Sequence, residues 1–170
     1  MVATSVLVLG LLGLVAAVVW DAVVTPAEYT KIAAGPEMGE LQLGRQFGAD
    51  AWFVLIGFGV GLAAGLVLAW WHVARPLVTS VAVLVGAVIA AAVMAQVGHL
   101  LGPPAPATVL ATAKVGTRAA ESLDVGVGRD AGHLSLANLP VLLSWPVGGV
   151  LGTLLALLLH GPSDRSASAD

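Results

Sequence analysis

No cysteine occurs among the 170 residues, only 10% of them are charged, and aromatic side chains make up 5%. Each shortage closes a class of function. Without cysteine there is no disulfide framework, no iron-sulfur cluster and no thiol nucleophile. Seven basic side chains against ten acidic ones give a net charge of -3, which provides no cationic face for nucleic acid. Lysine is confined to Lys31 and Lys114, and no acidic residue stands between Asp50 and Glu121.

What replaces the missing charge is aliphatic. Apolar residues make up 58% of the chain and the mean hydropathy is +0.97, well above an ordinary soluble domain. Four stretches are apolar enough for the roughly 20 helical residues that cross a hydrocarbon layer. They run from Val2 to Trp20, Ala51 to Trp71, Leu77 to Leu101 and Leu139 to His160, the last with Pro146 inside it. The first lacks a basic leader and a clean small-x-small cleavage site, so it reads as a retained anchor helix rather than a signal peptide. The expectation is an all-α membrane protein: four transmembrane helices in an antiparallel bundle forming a single membrane domain.

The connections set the topology. The link His72 to Pro76 is short, which makes the second and third spans antiparallel neighbours. Segments 21–50 and 102–138 are long, polar and on one side, while both termini, including the flexible tail 161–170, lie on the other. Arg75 is concentrated in the short link, whereas Lys31, Arg45, Lys114, Arg118 and Arg129 are spread thinly over the long segments. The density of positive charge puts the link and both termini in the cytoplasm and the two long loops outside. Trp20, Trp52, Trp70 and Trp71 stand at span ends, where an indole favours the membrane interface. In the second long loop, KVGTRAAESLDVGVG reads at most as a small hairpin.

Residues 57–65, GFGVGLAAG, superficially resemble the glycine turn that cradles a dinucleotide. That reading needs a preceding strand, a following helix and an acidic residue about 20 positions on. Here the glycines lie in mid-span and the acidic residue is absent, so neither nucleotide nor cofactor is expected. Gly57, Gly61 and Gly65 instead repeat small-xxx-small, which places them on one helix face as a groove for close helix packing. The partner face could belong to the same chain, with Gly86 and Ala90 or Gly148 and Gly152 supplying it, or to another protomer.

Polar groups inside spans are few. Gln96 and His99 share a face near the end of the third span, and could line a polar pathway or simply form an interfacial pair. No carboxylate in a span core completes a proton relay. The four histidines lack the spacing of a zinc site, and Ser122, Asp124, Asp130, His133 and Ser135 in the second loop lack the supporting frame of a catalytic triad. Glu37, Glu40 and Asp50 read as a solvated acidic loop. Ser144, Trp145 and Pro146 mark a kink, with a serine or water taking up the carbonyl that proline leaves free. No catalytic, cofactor or metal residue is assigned.

The anchor helix, the aromatic entry GADAWF (Gly48 to Phe53), the span LIGFGVGLAAGLVLAW and the Leu142 to Pro146 run LLSWP together resemble a family of small actinobacterial membrane proteins known as a domain of unknown function. The resemblance implies a four-span architecture and carries over no catalytic residue. The composition, rich in Ala and Val, fits a high-GC bacterium. The expected role is a non-enzymatic structural or accessory subunit of an envelope complex in the bacterial plasma membrane. Its partners would be the lipid bilayer and either a second membrane protein or further copies of itself. The alternative is a small oligomeric transporter or channel using Gln96 and His99.

Overall fold

A computed structural model describes residues 2–72, 74–125 and 138–160. The expectations for Asp130, His133, Ser135, the end of the second long loop and the tail 161–170 fall outside these residues. The helices are α1 (Val2–Val23), α2 (Glu40–Trp71), α3 (Pro76–Leu101), α4 (Pro106–Ala111), α5 (Leu139–Leu142) and α6 (Ser144–Leu159). Among the described residues four helical segments are long and apolar enough to cross a membrane: α1, α2, α3 with its extension, and α5 with α6.

The bundle assembles from two tight pairs of non-consecutive helices. α1 packs along α3 and α2 packs along α6, while α3 against α6 and α1 against α2 close the ring. The contacts within each tight pair rise together along both chains. Leu9 meets Gly86, Gly13 meets Ala90 and Trp20 meets Gly98, so α1 and α3 run parallel. Gly57 meets Trp145 and Gly65 meets Gly149, so α2 and α6 also run parallel. The covalent link between α2 and α3 joins neighbours in sequence whose mutual packing is slight beside that of the parallel pairs.

The buried face of α2 explains how one helix serves two partners. Ala49, Phe53, Gly57, Gly61, Gly65 and Ala69 are buried at every fourth position. Four residues overshoot a full turn by about 40°, so such a stripe winds around the helix. Its upper end, Ala49 and Phe53, reaches Trp20 of α1; the glycines below reach α6.

α2 begins at Glu40, well before the span expected from Ala51. Hydropathy marks the part of a helix that lies in lipid, and the 11 residues before Ala51 are polar enough to escape that signal while still helical. At 32 residues α2 is about 48 Å long, against a hydrocarbon layer of about 30 Å. Glu40 sits in its first turn, where a carboxylate complements the helix dipole.

The long loops are not wholly irregular, and the all-α expectation needs a small β addition. β1 (Glu28–Ile32) and β2 (Gly35–Glu37) form an antiparallel hairpin in the first loop. β3 (Arg118–Ala120), from the second loop, pairs antiparallel with the other edge of β1, giving the order β2-β1-β3. The hairpin anticipated within the second loop is therefore a strand donated to the first. Gly35 opens β2 with φ of 142°, a conformation that L side chains rarely adopt.

Candidate functional site

Two regions hold the features from which chemistry or recognition could arise: the glycine seams of the bundle and a polar cluster beneath the loop sheet. A Cβ at Gly61 would lie 2.6 Å from the Trp145 carbonyl oxygen, and one at Gly57 would lie 2.6 Å from the Trp145 indole nitrogen. One at Gly65 would collide with the Gly149 carbonyl, and Gly148 and Gly152 press reciprocally on the backbone of α2 at Phe58 and Leu62. Both backbones approach closely because each side lacks a side chain at alternate heights, and dispersion supplies the attraction that lipid cannot. Within this structure the triplet Gly57, Gly61 and Gly65 lies against α6 of the same chain.

Tryptophans lock these seams. Trp20 is fully buried, its ring seated over Gly98, its indole N–H donating to the Ala49 carbonyl at 2.9 Å and its face meeting Phe53 edge-on at 5.2 Å. Trp20 stands near the end of α1, as its sequence position implies, but its ring faces inward rather than toward lipid. Position along a span reports depth in the membrane, not which way a side chain faces, and Gly98 opens a recess that the ring fills. Trp52, Trp70 and Trp71 are exposed. Trp145, also fully buried, directs its indole N–H at the Met94 sulfur, 3.3 Å away.

Hydroxyl groups in the spans mostly return to their own helices. Thr79 donates to the Arg75 carbonyl, Ser80 to that of Pro76 and Thr153 to that of Gly149. Such bonds satisfy a polar group where no water is present. Ser144 behaves differently: its buried hydroxyl has no hydrogen-bond partner among the described residues, so it does not take up the carbonyl left free by Pro146. Span four is interrupted at Leu143, between α5 and α6, next to the Ser144 to Pro146 run where a kink is expected.

The polar cluster lies where α2 and α3 emerge toward the sheet. Asp124 is the hub. One of its carboxylate oxygens lies 2.8 Å from His99 Nδ1 and the other accepts the Ser122 hydroxyl at 2.6 Å. The His99 ring nitrogen is close to the carboxylate without the alignment of a hydrogen bond, so the contact is one of proximity. Beside it, Glu121 accepts from Gln46 Nε2 at 2.8 Å and approaches the Tyr29 hydroxyl at 3.5 Å, while its backbone N–H donates to Ala27. Glu121, Ser122 and Asp124 are all buried. Tyr29, Pro36, Pro106, Glu121 and Ser122 help to line a small cavity of about 230 Å³.

Serine, histidine and aspartate thus meet, but in an order that does not activate the serine. A triad places histidine between serine and carboxylate so that the imidazole takes the hydroxyl proton. Here the carboxylate stands between, and Ser122 donates to Asp124. Among the described residues no group of three His, Asp or Glu side chains converges as metal ligands would.

Gln96 and His99, three residues apart, enter different surroundings. Gln96 helps to line an apolar groove of about 630 Å³ between α1 and α3, together with Leu7, Gly10 and Val93. His99 turns to Asp124. Of the cluster, Gln46, Tyr29 and Glu121 went unremarked as a site in the sequence. Their separation in the chain hides them, since Tyr29 and Glu121 are 92 positions apart.

These features define a multi-pass membrane protein whose helices are sealed by glycine and tryptophan and whose loops are tied into a small cap. No family model, no curated protein and no solved structure matches the chain.

Proposed function

We propose that this chain is a non-enzymatic structural or accessory subunit of a larger complex in a bacterial plasma membrane. In this reading it crosses the bilayer four times in alternating directions, with both termini cytoplasmic and both long loops outside. One observation carries the proposal: most of the buried polar side chains among the described residues are engaged in internal ties. His99, Asp124, Ser122, Glu121, Gln46 and Tyr29 connect the loops to the bundle, and the hydroxyls of Thr79, Ser80 and Thr153 bond their own helices. The bacterial setting rests on the family resemblance and the lysine-poor composition. The orientation rests on Arg75 in the short link.

The test is recovery of the tagged chain from its native membrane after crosslinking. A stoichiometric membrane partner is expected, and a solitary monomer would count against the reading. Cysteines introduced in the first loop and in the 72–76 link test orientation without interference from native thiols. Labelling of the link alone from outside would reverse the topology. A transport reading would require Gln96 and His99 to share a path; substitution of both by leucine leaving flux unchanged in reconstituted vesicles would dispose of it.

A further inference from the structure

α1 and α2 touch near their outer ends, where Trp20 meets Ala49 and Phe53, and separate below. The space between them is a groove of about 820 Å³, inside the ~300–1,000 Å³ of sites that take small molecules. Gly59, Ala63 and Leu12 line its deeper part, and Val8 and Val67 line it further along. Its other end carries the polar groups: Thr4, at the start of α1, and Trp71 and His72, at the end of α2.

We propose that this groove holds one acyl chain of an anionic phospholipid from the leaflet at the α1 start and α2 end. The proposal rests on the membrane reading given above. Length is the first argument. From Gly59 to Trp71 the groove follows α2 for about 18 Å, which is one leaflet and not the roughly 30 Å a partner helix would cross. Its lining stops at Leu12 and Gly59, short of the Trp20 contacts, so the groove has the depth of one leaflet and suits a chain end entering from the headgroup level.

Charge is the second argument. Arg75 is exposed three residues beyond His72 and donates its backbone N–H to the His72 carbonyl at 3.1 Å. The first turn of α1 presents backbone N–H groups at the same end, where the helix dipole favours an anion. No Asp or Glu occurs in 2–20 or in 51–120 to oppose a phosphate. Basic groups between helices at the cytoplasmic face suit anionic headgroups.

The experiment reconstitutes the full chain into equimolar phosphatidylglycerol and phosphatidylcholine, extracts it gently and counts retained lipid by native mass spectrometry. One phosphatidylglycerol per chain is expected. The double variant Gly59→Leu, Ala63→Leu should lose it while keeping its melting temperature, since a Cβ at Gly59 meets nothing within 4 Å and Ala63 is exposed. Arg75→Gln, on the exposed link, should keep the lipid but lower the preference for phosphatidylglycerol about fivefold. Equal retention by the double variant, no headgroup preference in the wild type, or a lipid-free dimer would each overturn the proposal. An alkaline wash separates the two readings: protein stripped from the vesicles defeats the membrane assignment, whereas protein that stays but retains no lipid defeats only the groove.

Discussion

Gly59 and Gly61 stand two residues apart in α2 and meet opposite surroundings. A Cβ at Gly61 lies 2.6 Å from a backbone oxygen of α6, whereas one at Gly59 finds open space. Gly61→Leu should therefore destabilise by about 3 kcal/mol, the upper end for overpacking, because a backbone cannot step aside as a side chain can. Gly59→Leu should stay within about 0.5 kcal/mol. Unfolding followed by circular dichroism in detergent would compare them, and equal stabilities would mean that the α2–α6 seam is misplaced. The spacing of Gly57, Gly61 and Gly65 made this face legible in the sequence; its partner was not, since Gly86 with Ala90 and Gly148 with Gly152 were equal contenders. The inward turn of Trp20 has no sequence signal for a related reason: the recess at Gly98 that receives its ring is 78 positions away, beyond the reach of any local pattern.

At the level of elements, lipid-facing length was easy to read and everything polar was harder. The bounds of α3 follow the apolar run closely, because Pro76 starts the helix and the Gly-Pro-Pro segment from Gly102 ends it. The early start of α2 and the strand β3 carry no comparable signal: β3 is three residues long and exists as a strand only by pairing with β1. Besides that pairing, the His99–Asp124 contact is a tie between the second loop and α3. Asp124→Ala would leave the His99 imidazole and the Ser122 hydroxyl without their carboxylate, at a cost of about 1–3 kcal/mol. Trypsin cleavage at exposed Lys114 and Arg118 should accelerate while the bundle melts nearly as before. Unaltered cleavage would show that β3 and the Glu121 contacts hold the loop without Asp124.

For the whole molecule, the arrangement of the pairs matters more than any single helix. Hydropathy counts spans but is silent on which spans touch, so the parallel pairing of α1 with α3 and of α2 with α6 had to come from the structure. The seam between α3 and α6 offers a direct check. A Cβ at Gly149 would lie 3.7 Å from that of Ala87, close to the ~3.8 Å typical of a disulfide, once Val83 Cγ1, 2.9 Å away, turns aside. Ala87→Cys with Gly149→Cys should crosslink under mild oxidation within a monomer, and the cysteine-free background makes the readout unambiguous. Failure to crosslink in a folded sample would rule out this order of helices around the ring.

The three-stranded cap also has a bearing on how the protein is made. β1 leaves the ribosome long before β3, with Tyr29 and Glu121 separated by 92 positions, which at ~5–20 residues per second is a delay of about 5–20 seconds. Throughout that interval one edge of β1 is without its strand, and in the proposed topology β3 can reach it only after the third span has threaded the bilayer. Completion of the sheet would then act as a molecular receipt for correct insertion, and a chain stalled or mis-oriented at α3 would display an open strand edge to the proteases and chaperones of the compartment outside.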